Sequence, residues 1–367
     1  MKIYYIVKNI DKIPSCQYNI IMLKKLKYDV IPVFGQSTDV INSLLESKGI
    51  KPYELINRNE KGYSFILKYR YSIKKFLRLN YKKGDLIFIG TGDSAVSLMG
   101  IIKKYPYVFC VKELYDHANR IYLNNIISIS KSAVSVVACE INRARYMKFE
   151  WGLSDIPYVV SNRPYYDIEP MKNEGTIEKT KTIISKIKEK KAIVYQASHI
   201  HYAPELCNLA MALKSMNKDY ILVLIGNIDR EAEIEKIKKI YSNIICTGYI
   251  KSPLHMEITG NSYIGITIYQ ENSLNNLFCA PNKIYEYACY GVPTLSNNVP
   301  GLVETVAIND IGVCVDWNSI EDIKKGLEKI ELQYEYYKKQ SLIYYQKTDN
   351  LLLMKEIVDD AVKKINA

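Results

Sequence analysis

Residues 191–226 read KAIVYQASHIHYAPELCNLAMALKSMNKDYILVLIG. Two short β-branched runs, KAIVYQ (191–196) and YILVLIG (220–226), flank a helix-length amphipathic stretch at 203–216. A run that is apolar throughout, rather than alternating, suits a strand buried on both faces. That is the parallel sheet of a strand–helix–strand unit. The same alternation extends both ways. Upstream, strand-like runs occupy 2–7, 29–34, 85–90, 107–111, 133–138 and 157–161; downstream they occupy 243–248, 263–269, 292–296 and 312–316. Helical patterns at 17–27, 93–104, 140–151, 229–241, 281–290 and 319–330 lie between them. This order predicts an α/β chain of two Rossmann-like, doubly wound domains in tandem. Ligands in such sheets bind outside the carboxyl ends of the strands, so a site is expected in the crevice between two facing domains.

A polar stretch with two prolines, 162–191, contains a helical segment at 176–190 and reads as the joint. The expected domains are 1–168, 169–345 and a C-terminal helix over 346–367 that packs back on the N-terminal domain, within a tail (332–366) that is helical and Tyr/Lys-rich. The 367 residues suit two domains, and 48% hydrophobic with 24% charged residues suits a chain that buries a core. No apolar run approaches the roughly 18 residues of a membrane span, and no signal peptide is read at the N-terminus. Eight scattered cysteines without a C-x-x-C pair fit buried thiols in a reducing, cytoplasmic compartment, and no metal site is visible. The net charge is +11, and all of the excess is upstream: residues 1–170 hold 26 Lys+Arg against 15 Asp+Glu, while residues 171–367 hold 24 against 24. A basic half points to an anionic partner. Nothing resembles a nucleic-acid reading motif, so no nucleic-acid partner is expected.

The densest chemistry lies at 279–306, CAPNKIYEYACYGVPTLSNNVPGLVETV. Pro281 and Asn282 open a helix, where proline's missing N–H costs nothing. A helix start offers free N–H groups to a phosphate. Lys283 sits in the first turn, where the helix dipole disfavours a cation, so its placement suggests a purpose other than helix stability. Glu286, three residues on, shares its face and can accept hydroxyl hydrogen bonds from a ribose.

This run resembles the nucleotide-sugar motif of GT-B fold glycosyltransferases, most like the retaining family 4. VKELYDHANR (111–120), the passage 140–166 and IVYQASHIHYAPEL (193–206) are similar to further segments of the bacterial capsule and cell-wall members. The resemblance spans roughly 110 to 320. It implies that Glu286 holds the ribose and that Pro281, Asn282 and Lys283 lie against the donor. It also implies that Thr247–Tyr249 meets the base through backbone atoms and that Pro300, Gly301 and Leu302 close over the nucleotide, with Gly226 among the donor-binding positions. Two departures stand out. Phe278 occupies the place of the glutamate that reaches the donor sugar, leaving Asn275 or Asn276 as polar substitutes. No Arg or Lys follows strand 191–196; Ser198, His199 and His201 stand there instead.

The expected function is therefore metal-independent transfer of a sugar, with retention, from a nucleotide sugar, most simply UDP-linked. The acceptor is a saccharide or lipid-diphosphate-linked glycan of bacterial surface polysaccharide synthesis. Lys283, His199 and His117 are the catalytic candidates, and Asp93, Glu113 and Asp116 the acceptor candidates. Asp93 also reads as a helix cap. The stretch 67–83 carries Lys74, Lys75, Arg78, Lys82 and Lys83 among aromatic and aliphatic residues, as a basic amphipathic helix on an anionic membrane would. That places the protein at the inner face of the plasma membrane. Two other readings stand beside this one: a sugar-nucleotide 2-epimerase of the same fold, and a pseudo-glycosyltransferase partner subunit.

Overall fold

A computed structural model describes residues 1–11, 13–164, 174–200, 203–216 and 218–366. Contacts within the chain divide it into two units. The first is Met1–Tyr166 with Ser273–Asn275 and Asp349–Ala367; the second is Asp167–Asn272 with Asn276–Thr348.

The first unit is built on seven parallel strands: β1 (Lys2–Asn9), β2 (Asp29–Gln36), β3 (Tyr53–Glu54), β4 (Leu86–Ile89), β5 (Tyr107–Cys110), β6 (Ser135–Ala138) and β7 (Tyr158–Val159). Their order in the sheet is β3-β2-β1-β4-β5-β6-β7, with the central register set by Tyr4 opposite both Ile31 and Ile87. The apolar runs become strands because both faces are covered, and Ile3, Tyr5, Val7, Phe88 and Val108 share one core. Helix Asn350–Asn366 adds Met354, Ile357, Val358 and Ala361 to that core.

The second unit holds six parallel strands: β8 (Lys191–Ile200), β9 (Tyr220–Ile228), β10 (Ile244–Gly248), β11 (Ile264–Thr267), β12 (Thr294–Asn297) and β13 (Gly312–Val315). Their order is β10-β9-β8-β11-β12-β13. Tyr195, Leu222, Ile266 and Leu295 pack with helix Ala203–Met216 and helix Ile320–Leu332.

Several sequence expectations are corrected. Strand β3 was missed. The helix expected over 93–104 is two pieces, Gly92–Ser97 and a 3₁₀ turn Ile102–Lys104. Thr91, not Asp93, caps the first piece, its side chain accepting from Ser94 N–H at 3.2 Å. The joint helix is Glu178–Ile187, and the tail is two helices, Tyr334–Lys347 and Asn350–Asn366. The basic helix is Gly62–Asn80, so Lys82 and Lys83 lie past its end. The 198–200 segment is strand rather than loop, because β8 slips register between Gln196 and His199 and then pairs His199 with Asn227 and Ile200 with Ile228.

Candidate functional site

Unit 2 presents an open pocket of about 230 Å³ at the carboxyl ends of β8, β9, β10 and β11. Its wall includes Gln196, Ala197, Ser198, Tyr249, Ser252, His255, Tyr269, Pro281, Asn282, Lys283 and Glu286. Helix Asn282–Ala288 is the side that carries the charge. It is fixed by Tyr287, whose hydroxyl donates to the Ile266 carbonyl at 3.1 Å and whose ring lies against Gly265. Ile284, Tyr285, Tyr287 and Ala288 face inward, so Lys283 and Glu286 take the pocket side. Pro281 is the residue before the helix, with β-region φ −75° and ψ 136°. At seven residues the helix is short, and the named side chains carry more of the site's charge than its dipole does.

The Lys283 ammonium lies 4.9 Å from the Tyr195 ring centroid and 5.9 Å from that of Tyr269. Two ring faces attract a cation but accept no conventional hydrogen bond. Among the described residues no acceptor or ion-pair partner meets it; Glu286 contributes only through space. Burial accordingly pushes the Lys283 ammonium down to about 8, against the pull of Glu286 and Cys279. Tyr269 is held from below by Asn297, which accepts from Tyr269 N–H at 3.0 Å and donates to its carbonyl at 2.7 Å. A desolvated ammonium at a pocket wall is a ready anion site.

Glu286 accepts from the Gln196 amide, and its Oε2 lies 3.3 Å from His255 Nε2. His255, on helix His255–Thr259, is a pocket residue that the sequence reading missed. No motif marks a lone histidine in SPLHMEIT; only the packing of its helix near Asn282–Ala288 brings it to the carboxylate.

Ser198 lines the pocket, placed there by the β8 bulge. Gly226 backs that bulge: its φ is +149°, and a Cβ on it would collide with the Ala197 carbonyl. Only glycine permits this approach. His199 is exposed and pairs through Nδ1 with Asp229 Oδ1 at 2.8 Å; it is not among the pocket's lining residues. His201 lies outside the described residues. Thr247 is buried on β10, its hydroxyl turned to the Gly248 carbonyl, while exposed Tyr249 lines the pocket. Asn276 bonds the Asn272 side chain at 2.7 Å and stays off the wall. Leu302 is a core side chain packed with Cys279, Ile284 and Val299, and Gly301 lies against the backbone of 278–279. Their side of the turn therefore reaches a ligand only through backbone.

In unit 1, Asp93 pairs with Lys8 at the carboxyl edge of the sheet. Gly92 is there because a Cβ would meet the Tyr115 hydroxyl. Asp116 Oδ2 accepts the Leu274 N–H at 2.6 Å, so it is engaged with backbone. Glu113 and His117 are exposed in the segment after β5.

Comparison with known proteins adds to this geometry. Residues 178–348 match the family described as Glycosyl transferases group 1. A search of curated proteins found no match. Among solved structures, a glycosyltransferase from Rickettsia africae is 18% identical, with TM-score 0.68 over 99% of this chain and 98% of that one. HepE from Anabaena, in complex with UDP-glucose, is 11% identical, with TM-score 0.69 over 99% of each chain. The UDP-GlcNAc 2-epimerase of Neisseria meningitidis, bound to UDP-GlcNAc, is 14% identical, with TM-score 0.70 over 99% of this chain and all of that one. At these identities the likeness shows the fold. The chain has the GT-B fold. Its second unit carries the group 1 family domain, and the sheet edge just described falls inside it.

Proposed function

We propose that the unit 2 pocket binds a UDP-sugar and that the protein transfers its hexosyl group, with retention and without a metal ion, to a saccharide or lipid-linked acceptor in bacterial surface polysaccharide synthesis. The observation that carries this reading is the buried Lys283 ammonium without an acceptor, three residues from a carboxylate on the same wall. A diphosphate supplies the missing acceptors, and a ribose supplies hydroxyls for Glu286. In the reaction the bond from the sugar's anomeric carbon to the diphosphate oxygen breaks, and the diphosphate leaves with the electron pair. The acceptor oxygen bonds to that carbon and passes its proton to the departing diphosphate oxygen. Lys283 stabilises the charge on the leaving oxygen where it develops. Acceptor binding is assigned to the carboxyl edge of unit 1, near Asp93, Glu113 and His117.

The test is a thermal-shift screen against nucleotide sugars, since a ligand of the folded state raises its melting temperature by mass action. UDP-sugars are expected to give the largest shifts, and transfer is expected to persist in EDTA. A panel without any shift overturns the reading. An epimerised sugar formed from UDP-GlcNAc alone favours the second reading, for which the Neisseria likeness speaks. No nucleotide affinity together with a tight protein partner favours a pseudo-glycosyltransferase.

The membrane proposal rests on helix Gly62–Asn80. Phe65, Tyr69, Ile73 and Leu77 face the core. Arg70 is spent on the Ser97 and Met99 carbonyls and Lys68 on Glu60. The outer face shows Tyr63, Leu67 and Tyr71 beside exposed Lys74, Lys75 and Arg78, with Lys82 and Lys83 beyond. No helix is long and apolar enough to cross a membrane among the described residues. This face suits peripheral contact at a cytoplasmic membrane surface, at about 1 kcal/mol per basic residue. Changing these five cations to glutamine is expected to weaken binding to phosphatidylglycerol vesicles at least about 100-fold. Undiminished sedimentation with vesicles refutes it.

A further inference from the structure

The Glu286 carboxylate is held on one side only. Its Oε2 is in reach of His255 Nε2 at 3.3 Å and takes the Gln196 amide Nε2. Its Oε1 has no protein partner among the described residues. The Gln196 amide has one favourable orientation: the Glu286 carboxylate only accepts and so takes Nε2, while Oε1 on the other side accepts from Thr259 Oγ1 at 2.7 Å. Thr259 and His255 are four apart on helix His255–Thr259, which places them on one face. The result is a closed ring of four side chains: His255 to Glu286, Glu286 to Gln196, Gln196 to Thr259, and Thr259 back to the helix that carries His255. Thr259 is fully buried, while the side chains of His255 and Glu286 keep 12% and 14% of their surface, at the pocket wall.

We propose that His255 is a positioning residue of the donor pocket: it shares Oε2 of Glu286 with Gln196, so that the carboxylate meets ribose hydroxyls through Oε1 in one fixed orientation. This rests on the donor reading of the pocket. A carboxylate gripped from one side only by Gln196 can rotate about its last bond, and a rotated carboxylate no longer separates a ligand with a hydroxyl from one without. Hydroxyl recognition, rather than phosphate binding, is then the property that His255 controls. The phosphates fall to Lys283, whose ring contacts lie on Tyr195 and Tyr269 and not on this ring of side chains.

The experiment measures calorimetric affinities of the full chain for UDP, 2′-deoxy-UDP, 3′-deoxy-UDP and pyrophosphate. In the wild type, removing at least one hydroxyl is expected to weaken binding ten-fold or more. His255→Phe is expected to weaken UDP about ten-fold, to bring that deoxy penalty below two-fold, and to leave pyrophosphate affinity unchanged. His255→Gln, which returns an N–H donor at similar reach, is expected to restore most of the penalty. Thr259→Val frees the Gln196 amide from the far side of the ring and is expected to reduce the penalty as well. A His255→Phe protein with the full wild-type deoxy penalty overturns the proposal. So does a glutamine variant as indifferent to the hydroxyl as the phenylalanine variant. A wild-type protein that binds no UDP overturns the donor reading instead, and so the two failures are told apart.

Discussion

Replacing Lys283 by methionine is expected to slow transfer about 100- to 1,000-fold, the range for losing one preorganised charge donor at a leaving group. The same change is expected to stabilise the ligand-free protein. An ammonium driven from its usual 10.5 to about 8 by burial costs folding roughly 3 kcal/mol at neutral pH. Methionine keeps the length of the chain between Tyr195 and Tyr269 and carries no charge. The pH behaviour follows with a definite sign. Below pH 8 the lysine is protonated in both folded and unfolded chains, and the cost is full. Between 8 and 10.5 the folded chain releases its proton first, so the stability of the ligand-free wild type rises with pH relative to the variant. UDP affinity runs the other way. It is greatest below pH 8 and falls above it, with proton uptake on binding. Calorimetry in two buffers of different ionisation enthalpy, repeated from pH 7 to 9.5, reads all of this. A flat affinity across that range takes Lys283 out of the phosphate site.

Glu286→Ala is expected to act on affinity rather than on the chemical step. Each hydrogen bond to a charged group is worth about 1.5–3 kcal/mol, so UDP binding should weaken about 10- to 150-fold. The loss also strands the Gln196 amide and the His255 imidazole at the wall of the pocket. Pyrophosphate, which needs no ribose contact, should bind nearly as well as before. Unchanged UDP affinity in calorimetry removes the site assignment.

The strands were legible because a parallel sheet needs runs such as YILVLIG and DLIFIG, apolar on both faces. Strand β3 was not, since Tyr53–Glu54 is two residues long and half-polar, and only its pairing with Val33 and Phe34 makes it a strand. Segment 198–200 read as a loop because Ser198 and His199 break the apolar run; the bulge against β9, opened by Gly226, carries the strand on to Ile200. At the site, Lys283 and Glu286 could be picked out by their spacing on one helix. The features that set their chemistry could not. Tyr195, Tyr269, Gln196 and His255 come from other elements, and no local pattern announces a tyrosine as the floor beneath an ammonium. Leu302 shows another limit: its side chain, chosen by its place in a motif, packs in the core and leaves only backbone to a ligand, and a buried leucine and a ligand-facing one look alike in sequence.

Glu257 sits two residues from His255 on the same short helix. Its buried carboxylate accepts from the Thr176 N–H at 3.0 Å, from the Thr176 hydroxyl and from the Thr180 hydroxyl. Burial works against its charge, but these donors outweigh it and hold the carboxyl below its usual range. The family match begins at residue 178. An excised second unit that starts there discards Thr176, two of the three donors, and leaves an under-solvated anion on the helix that brings His255 to the pocket wall. A fragment intended for crystallisation or ligand soaking should therefore open upstream of Thr176, or it will report a looser and weaker binding site than the whole polypeptide possesses.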